Sequence, residues 1–170
     1  MDNSTGEVWL RPARFEEDRA IKQLVRRARI NPLGLNWERF TVAVDGEQRI
    51  VGCVQLKPHA DGSVELASLV VDETWRLRGV ARKLVEQAKA NRGDTLWLVC
   101  ESSLVPFYEE FDFCNMQQGR AMPPYFRRIW RLLSLLRRLT RREPKLAIMR
   151  WQGPAETSER VNDRRDTRNL

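Results

Sequence analysis

Histidine and cysteine, which build most metal centres and disulfide frameworks, are scarce in this sequence. His59 is the single histidine, and Cys53, Cys100 and Cys114 are the three cysteines. One histidine argues against a histidine-based metal centre, and an odd number of cysteines at irregular spacings fits neither a zinc site nor a set of disulfides. We therefore expect no metal site and three free thiols in a reducing, cytoplasmic environment.

The sequence also lacks long apolar runs. No stretch approaches the ~20 apolar residues that a membrane-spanning helix needs, and residues 1–7 are polar, unlike the start of a secretory signal peptide. At 170 residues, with 42% hydrophobic and 31% charged residues, the chain has the size and composition of one folded globular domain. A buried core and one functional centre are therefore expected.

Acidic residues are absent from the segment 120–142, which contains eight arginines. This segment accounts for the net charge of +7, so a broadly basic surface that binds nucleic acid is not expected. Its periodicity predicts a helix with an apolar face, comprising Phe126, Ile129, Trp130, Leu133 and Leu136, and an opposite face with Arg127, Arg128, Arg131, Arg138 and Arg142. We favour packing of the apolar face on the protein's own sheet, and peripheral contact with an anionic membrane is the alternative.

Hydrophobic periodicity in the first half of the chain predicts a strand, a helix and three consecutive strands. The first strand covers residues 8–11, and the helix follows Pro12. Asp45-Gly46, between two β-prone runs, is a strong hairpin signal. The segment Val64–Val71 is apolar at nearly every position, which predicts a fourth strand that is buried on both faces in the middle of the sheet.

The second half of the chain alternates helices and strands. Its predicted elements are, in order, a helix ending at Gly93, a strand over 95–100, a short helix over 104–111, a sixth strand from Phe113, the arginine-rich helical insertion over 120–142 and a closing strand over 146–151. Together the elements predict one α/β domain over residues 1–151, with a mixed, mostly antiparallel sheet of about seven strands flanked by helices. Residues 152–170 are polar and are predicted to form a disordered tail.

The turn between the predicted fourth strand and the following helix has the features of an anion site. It reads Arg76-Leu77-Arg78-Gly79-Val80-Ala81-Arg82. The first N–H groups of a helix have no acceptor within the helix, and the helix dipole adds partial positive charge. Gly79 would let the backbone approach a phosphate with no Cβ in the way, and the arginines add charge. An ordinary strand-to-helix connection with solvated arginines is the alternative.

Two motifs resemble those of the GNAT superfamily of N-acetyltransferases. Arg76-Leu77-Arg78-Gly79-Val80-Ala81 is similar to its cofactor signature Arg/Gln-x-x-Gly-x-Gly/Ala, and Phe107-Tyr108-Glu109-Glu110-Phe111-Asp112-Phe113 to its Phe-Tyr-Glu-x-x-x-Phe run. The resemblance extends from about Val8 to Trp151. It implies transfer of an acetyl group from acetyl-CoA to a primary amine by direct attack in a ternary complex.

The resemblance also implies where acetyl-CoA binds. The pyrophosphate would lie on the backbone amides of Leu77 to Arg82, near the side chain of Arg76. The pantetheine arm would run beside Leu69, Val70 and Val71 like an added strand. The thioester would then lie between Leu69 and Tyr108, with the backbone N–H of Val71 donating to its carbonyl oxygen.

Two side chains are candidates for proton transfer. Tyr108 lies where the family's general acid usually lies, and a phenol can protonate a departing thiolate; simple packing with neighbouring phenylalanines is the alternative. Glu65 is eleven residues before Arg76, which is the spacing of the glutamate base that several members carry. Strand alternation would place Glu65 on an apolar face, an environment used for carboxylate bases. Glu101, after the fifth strand, is the alternative base.

The remaining reactive side chains are not expected to take part. His59 follows the third strand and is expected to be solvated. The cysteines are expected to be buried and inert, which favours direct attack by the amine over an acyl-cysteine intermediate.

Two positions depart from the family's pattern. Glu101 stands where many members have an asparagine, and Asp112 replaces a common glycine. These departures keep open two other classes of function: an acetyl-CoA-binding regulatory module without turnover, and a membrane-associated protein that uses the arginine-rich helix. The acceptor is not readable from the sequence, since small amines, amino acids, protein N-termini and lysine side chains all fit.

Overall fold

The computed structural model describes residues 7–116, 121–140 and 145–153. Within these ranges the strands are β1 Trp9–Pro12, β2 Phe40–Val44, β3 Ile50–Pro58, β4 Val64–Val71, β5 Thr95–Glu101, β6 Cys114–Asn115 and β7 Leu146–Gln152. The helices are α1 Asp18–Arg27, α2 Val80–Arg92, α3 Val105–Glu109 and α4 Pro124–Thr140. The predicted order of elements is therefore correct, although α3 starts one residue later and ends two residues earlier than the predicted helix over 104–111. A 3-10 turn, Ser102–Leu104, precedes it.

The strands form a seven-stranded mixed sheet in the order β1-β2-β3-β4-β5-β7-β6. The pairs β1–β2, β2–β3, β5–β7 and β6–β7 are antiparallel. β4 and β5 are parallel, with Glu65 opposite Trp97. The predicted α/β fold with a mixed, mostly antiparallel sheet is confirmed, and β4 is its middle strand as predicted.

The chain divides into two compact units, and in the first the strands are covered on both faces. This unit comprises the described residues of 1–57 and 66–91. On one side, Ile21 and Val25 of α1 are buried in a cluster with Cys53. On the other side, a Cβ on Gly52 would lie 3.2 Å from a methyl carbon of Leu84 in α2. Successive strand residues face opposite sides, so α1 and α2 cover opposite faces.

The second unit comprises the described residues of 58–65 and 92–170, and its core forms where α4 packs on β5 and β7. Phe126 of α4 is fully buried, and its ring centroid lies 5.2 Å from that of Trp97 in a stacked arrangement. Met122 and Ile148 belong to the same cluster. Burial of a large apolar side chain stabilises a fold by roughly 1.5–3 kcal/mol, so these residues fix α4 in place.

β4 is less buried than its apolar sequence predicts. Leu66 and Val70 are its buried residues, and the other six are partly exposed, so the expected burial on both faces is wrong. Ser68 has a φ of 52°, and its carbonyl oxygen accepts a weak hydrogen bond from Cys53 Sγ at 3.8 Å. A left-handed residue interrupts strand alternation as a β-bulge does. The alternation of side chains between the two faces of the sheet therefore cannot be extended from Glu65 past Ser68.

α4 packs through only part of its predicted apolar face. Phe126 is buried as expected, whereas Leu136 is exposed. The exposed leucines of its second half are Leu132, Leu135, Leu136 and Leu139. Arg127, predicted to be solvated, donates from Nη2 to the carbonyl oxygen of Met122 at 2.9 Å. Both ends of the predicted insertion 120–142, and the predicted tail from residue 154 onward, lie outside the described residues.

The predicted hairpin at Asp45-Gly46 is present, and the side chain of Asp45 fastens it. Oδ1 accepts hydrogen bonds from the N–H groups of Glu47 and Arg49 at 2.9 and 3.0 Å, and Oδ2 accepts one from Nε of Arg49 at 2.8 Å. Burial alone would raise the pKa of Asp45, but these donors and the guanidinium charge hold it below its usual value.

Asp45→Ala should therefore lower the free energy of unfolding by about 1–3 kcal/mol, because the two backbone N–H groups lose their acceptor. Since the folded pKa is depressed, the stabilisation by Asp45 is present above about pH 4 and is lost as the pH falls through the folded value. Urea unfolding at pH 7 and pH 3 measures both effects. Asp18→Ala, which breaks a partly exposed pair with Lys22, should cost less than about 1 kcal/mol. Equal costs for the two variants would contradict the role of Asp45.

Candidate active site

The turn that enters α2 holds its backbone in a conformation that few residues adopt. Leu77 has a φ of 60° and Gly79 a φ of 76°. A left-handed leucine costs about 1–2 kcal/mol, and its fully exposed side chain gains nothing from packing. Strain of this kind concentrates at functional sites. Gly79 adopts the same conformation at little cost, and a Cβ added there would meet no atom within 4 Å.

The start of α2 adds the amide groups that an anion needs. The N–H of Lys83 makes a helical hydrogen bond to the carbonyl oxygen of Gly79 at 3.0 Å. The N–H groups of the first turn, including those of Val80 and Ala81, have no acceptor four residues earlier within the helix. The positive end of the helix dipole lies at the same place. The predicted anion site thus has a suitable backbone geometry.

Arg76 and Arg78 of the turn make weak contacts in the protein. Arg76 Nη2 lies 3.6 Å from Glu73 Oε1, and both side chains are exposed. The guanidinium of Arg78 lies 5.2 Å from the ring centroid of Trp75. Exposed contacts of this kind are worth about 0–1 kcal/mol, so an anion could replace them. Arg82 is also exposed, on the first turn of α2.

A cleft of about 420 Å³ lies beside the turn in the first unit. Its lining combines apolar residues with charged ones. The lining includes Leu24, Arg27, Ala28, Val70, Val71, Asp72 and Arg76. It thus brings the predicted Val70, Val71 and Arg76 together, and the predicted Leu69 is partly exposed on the same strand. A larger cleft of about 530 Å³ along α1 is lined by polar side chains. The mixed lining of the smaller cleft is more typical of a small-molecule site.

Arg27 is a cleft residue that the sequence did not indicate, because it comes from α1, far from the turn. The nearby carboxylate is Asp72, whose Oδ1 accepts hydrogen bonds from Thr74 Oγ1 at 2.7 Å and Thr74 N at 3.0 Å. These bonds, with Arg27 and Arg76, outweigh burial and hold the pKa of Asp72 below its usual value. The cleft lining therefore contains two carboxylates, Asp72 and Glu73, and two arginines, Arg27 and Arg76.

Tyr108 is buried in the second unit among aromatic rings. Its ring centroid lies 5.0 Å from that of Phe107 and 5.8 Å from that of Phe113, both at steep angles. Burial, together with the nearby Cys100, raises the pKa of Tyr108 above its ordinary value. The phenol therefore stays protonated at neutral pH and can act as a proton donor.

Asp112, which replaces the family's glycine, lies where a left-handed residue is needed. Its φ is 64°, and it follows the last turn of α3, where the N–H of Phe113 bonds to the carbonyl oxygen of Tyr108 at 3.2 Å. Aspartate tolerates this conformation better than most residues. The replacement therefore preserves the end of α3 and the position of Tyr108 on it.

Glu65 and His59 form a buried pair in the second unit. Glu65 Oε2 lies 2.9 Å from His59 Nε2, and the two side chains are 12% and 8% exposed. The expectation that His59 is solvated is therefore wrong. The signal that could have predicted the pair is the turn at Asp61-Gly62, because a tight hairpin there makes residue 65 a diagonal neighbour of residue 59 on the same face.

The other candidate residues are placed as follows. Cys53 and Cys100 are buried, and burial raises the pKa of Cys53 to about 12 and that of Cys100 to about 11, so both thiols are inert. Cys114 is exposed, which corrects the expectation that all three are buried. Glu101 is exposed at the end of β5.

Among the described residues, no group of three or more metal-ligating side chains is found, and no helix has the length and apolarity to cross a membrane.

Comparison with known proteins places this fold in a family. Residues 36–114 match the family model described as the acetyltransferase (GNAT) domain. Structures with a similar fold are N-acetylglutamate synthase from Neisseria gonorrhoeae, complexed with coenzyme A and N-acetyl-glutamate, Rv2747 from Mycobacterium tuberculosis, in complex with CoA, and the ribosomal-protein-S18-alanine N-acetyltransferase from Escherichia coli. A search of the curated proteins found no match.

The structural similarities cover most of the chain at low sequence identity. The synthase has a TM-score of 0.67 and 18% identity, over 86% of this chain and 35% of its own, so this chain spans about a third of that protein. Rv2747 has a TM-score of 0.65 and 18% identity, over 85% of this chain and 98% of its own. The ribosomal-protein acetyltransferase has a TM-score of 0.58 and 15% identity, over 86% and 94%. Identities this low show the fold alone.

Residues 36–114 are thus similar to a GNAT acetyltransferase domain, and the chain shares its fold with solved acetyltransferase structures. The resemblance inferred from the Arg76–Ala81 and Phe107–Phe113 motifs is thereby confirmed. The matched range contains both the turn before α2 and Tyr108.

The turn can be tested by placing a carboxylate at its most open position. Gly79→Glu should weaken binding of coenzyme A by about 100-fold or more, because a negative charge would face the phosphates and the left-handed φ would be strained. Isothermal titration calorimetry measures the change. Gly93→Glu is a matched control, since Gly93 has a φ of 72° and equally open surroundings. Equal weakening by both variants would assign the effect to backbone strain instead.

Proposed function

We propose that this protein is an N-acetyltransferase that moves an acetyl group from acetyl-CoA to a primary amine by direct attack in a ternary complex. The observation that carries the proposal is the left-handed turn at Leu77 and Gly79, which leads into α2 beside a cleft lined by apolar and charged residues. The match of residues 36–114 to the GNAT domain model and the coenzyme A present in several similar structures support it.

The residues of the turn and cleft fit the chemistry of acetyl-CoA. Its pyrophosphate is a doubly charged anion, which suits the amides of Leu77 to Arg82 and the guanidinium of Arg76. Its pantetheine arm combines amides with short apolar stretches, which suits the end of β4, where Val71 is partly exposed. We include Arg27 as a further phosphate contact, since it lines the same cleft.

Acetyl transfer requires the amine to lose a proton and the departing sulfur to gain one. The amine nitrogen attacks the thioester carbonyl carbon, the C–N bond forms, and the C–S bond breaks. We assign Glu65 as the acceptor of the amine proton and Tyr108 as the donor to the sulfur. The backbone N–H of Val71 would stabilise the negative charge that develops on the carbonyl oxygen.

The acceptor is proposed only as a primary amine. The similar structures include a synthase complexed with N-acetyl-glutamate and an enzyme that acetylates an alanine of a ribosomal protein. Amino acids and proteins are thus both acceptors within this fold, and the fold does not determine which acceptor a given protein uses.

The function can be tested by measuring thiol release from acetyl-CoA with four classes of amine: small amines, amino acids, peptides with a free N-terminus and peptides with a lysine. We expect release with at least one class. Tyr108→Phe should then lower kcat on the order of 100-fold, because it removes the proton donor while keeping the aromatic packing. Its melting temperature and coenzyme A affinity should remain those of the native protein.

Two outcomes would contradict the proposal. Binding of coenzyme A without thiol release from any class would indicate a regulatory module. Undiminished kcat in Tyr108→Phe would remove the assigned role of the phenol while leaving the transferase itself in place.

A further inference from the structure

The pair formed by His59 and Glu65 is covered by the first turn of α4. The imidazole ring lies 3.5 Å from the ring of Tyr125, with an angle of 18° between the ring planes. Phe126 meets the same imidazole edge-on at 5.7 Å. Burial is the larger cause that raises the pKa of the Tyr125 phenol, and the charge of the nearby Glu65 is the smaller one. The pair therefore has one hydrogen-bonded side and one aromatic side.

A single turn positions both the pair and its cover. The N–H of His59 bonds to the carbonyl oxygen of Ser63 at 2.9 Å, which closes the hairpin between β3 and β4. Asp61 Oδ1 accepts from Ser63 Oγ at 2.6 Å, and Asp61 Oδ2 accepts from the N–H of Tyr125 at 2.7 Å. α4 begins with Pro124, which has no N–H, so Tyr125 carries the first backbone donor of the helix. Asp61 thus caps α4 and places Tyr125 against His59.

The hydrogen bond within the pair determines what each group can do. A carboxylate only accepts hydrogen bonds, so Nε2 of His59 must carry the hydrogen that is donated to Oε2 of Glu65. Among the described residues, no protein donor to the second carboxylate oxygen, Oε1, is found. This oxygen is therefore the part of Glu65 that could accept a proton from a substrate.

We propose that His59 is a positioning residue for Glu65: it holds one carboxylate oxygen through Nε2, so that the other oxygen is presented to the acceptor amine, while stacking on Tyr125 fixes the imidazole. This inference rests on the proposed function, because it takes Glu65 as the base of amine acetylation. It adds a residue and a role that the family's motifs do not contain.

A double-mutant cycle tests whether His59 acts through Glu65. His59→Ala should lower kcat on the order of 100-fold, as expected for a displaced catalytic group, and leave the KM for acetyl-CoA unchanged. In a Glu65→Gln background the same substitution should change kcat by less than about threefold, because the base is already absent. His59→Gln, whose Nε2–H can replace the imidazole donor, should recover most of the activity.

Asp45→Ala is the control for loss of stability, since it weakens a different hairpin. The kcat of Asp45→Ala should equal that of the native protein, even where its melting temperature falls as far as that of His59→Ala. If His59→Ala lowers kcat equally in both backgrounds, or if it weakens coenzyme A binding, His59 does not act through Glu65.

A spectroscopic test is possible because His59 is the single histidine of the chain. The ¹⁵N NMR signals of one imidazole should show hydrogen on Nε2 in the native protein. Glu65→Ala should change the Nε2 signal, because the acceptor is removed. An Nε2 without hydrogen, or no response to Glu65→Ala, would overturn the pair.

The failure of this inference is distinguishable from failure of the proposed function. An active native protein with an uncoupled His59→Ala variant overturns only the role of His59. A native protein that releases no thiol from any amine class overturns the transferase and, with it, the role of the pair.

Discussion

The left-handed backbone at Leu77 and Gly79 is the constraint on which the candidate cofactor site depends. An extended or helical conformation at either position would turn the amides of the first turn of α2 in another direction. Glycine meets this requirement at one position, whereas leucine meets it at the other with a cost of about 1–2 kcal/mol. The buried contacts of α2 through Val80 and Leu84 hold the helix in register. The core of the first unit therefore maintains a turn that its local sequence disfavours.

The two proposed proton-transfer groups lie in different environments, and the difference matches their roles. Tyr108 is surrounded by aromatic rings, which favour the neutral phenol and keep its proton in place. Glu65 accepts a hydrogen bond from an imidazole at one of its two oxygens. One environment retains a proton for the departing sulfur, and the other retains a vacant oxygen for the proton of the amine. Such a division is typical of acid–base pairs in active sites.

Features encoded by local sequence were predictable, whereas those that depend on register or on distant chain segments were not. The Asp45-Gly46 hairpin, the end of α2 at Gly93 and the turn at Gly79 follow from residues within a few positions of each other. The left-handed Ser68 carries no local signal, and it invalidates the alternation used for Glu65. Arg27 reaches the cleft from another element. His59 was misjudged because a residue beside a turn is usually solvated, and only the hairpin register and α4 bury it.

The arginine-rich insertion is connected to the proposed base through one carboxylate. Asp61 receives the first backbone N–H of α4 and also fastens the turn that pairs His59 with Glu65. Asp61 accepts hydrogen bonds from the hydroxyl of Ser63 and from the N–H groups of Tyr125 and Ser63. These bonds outweigh burial and hold the pKa of Asp61 below its usual value. Asp61 therefore remains charged at the positive end of the α4 dipole, where an anion is favoured. The exposed second half of α4 can vary without disturbing this contact, but a change in its first turn would displace Tyr125 from His59. The end of α4 that begins at Pro124 thus forms part of the surroundings of the proposed base Glu65, whatever its arginines bind.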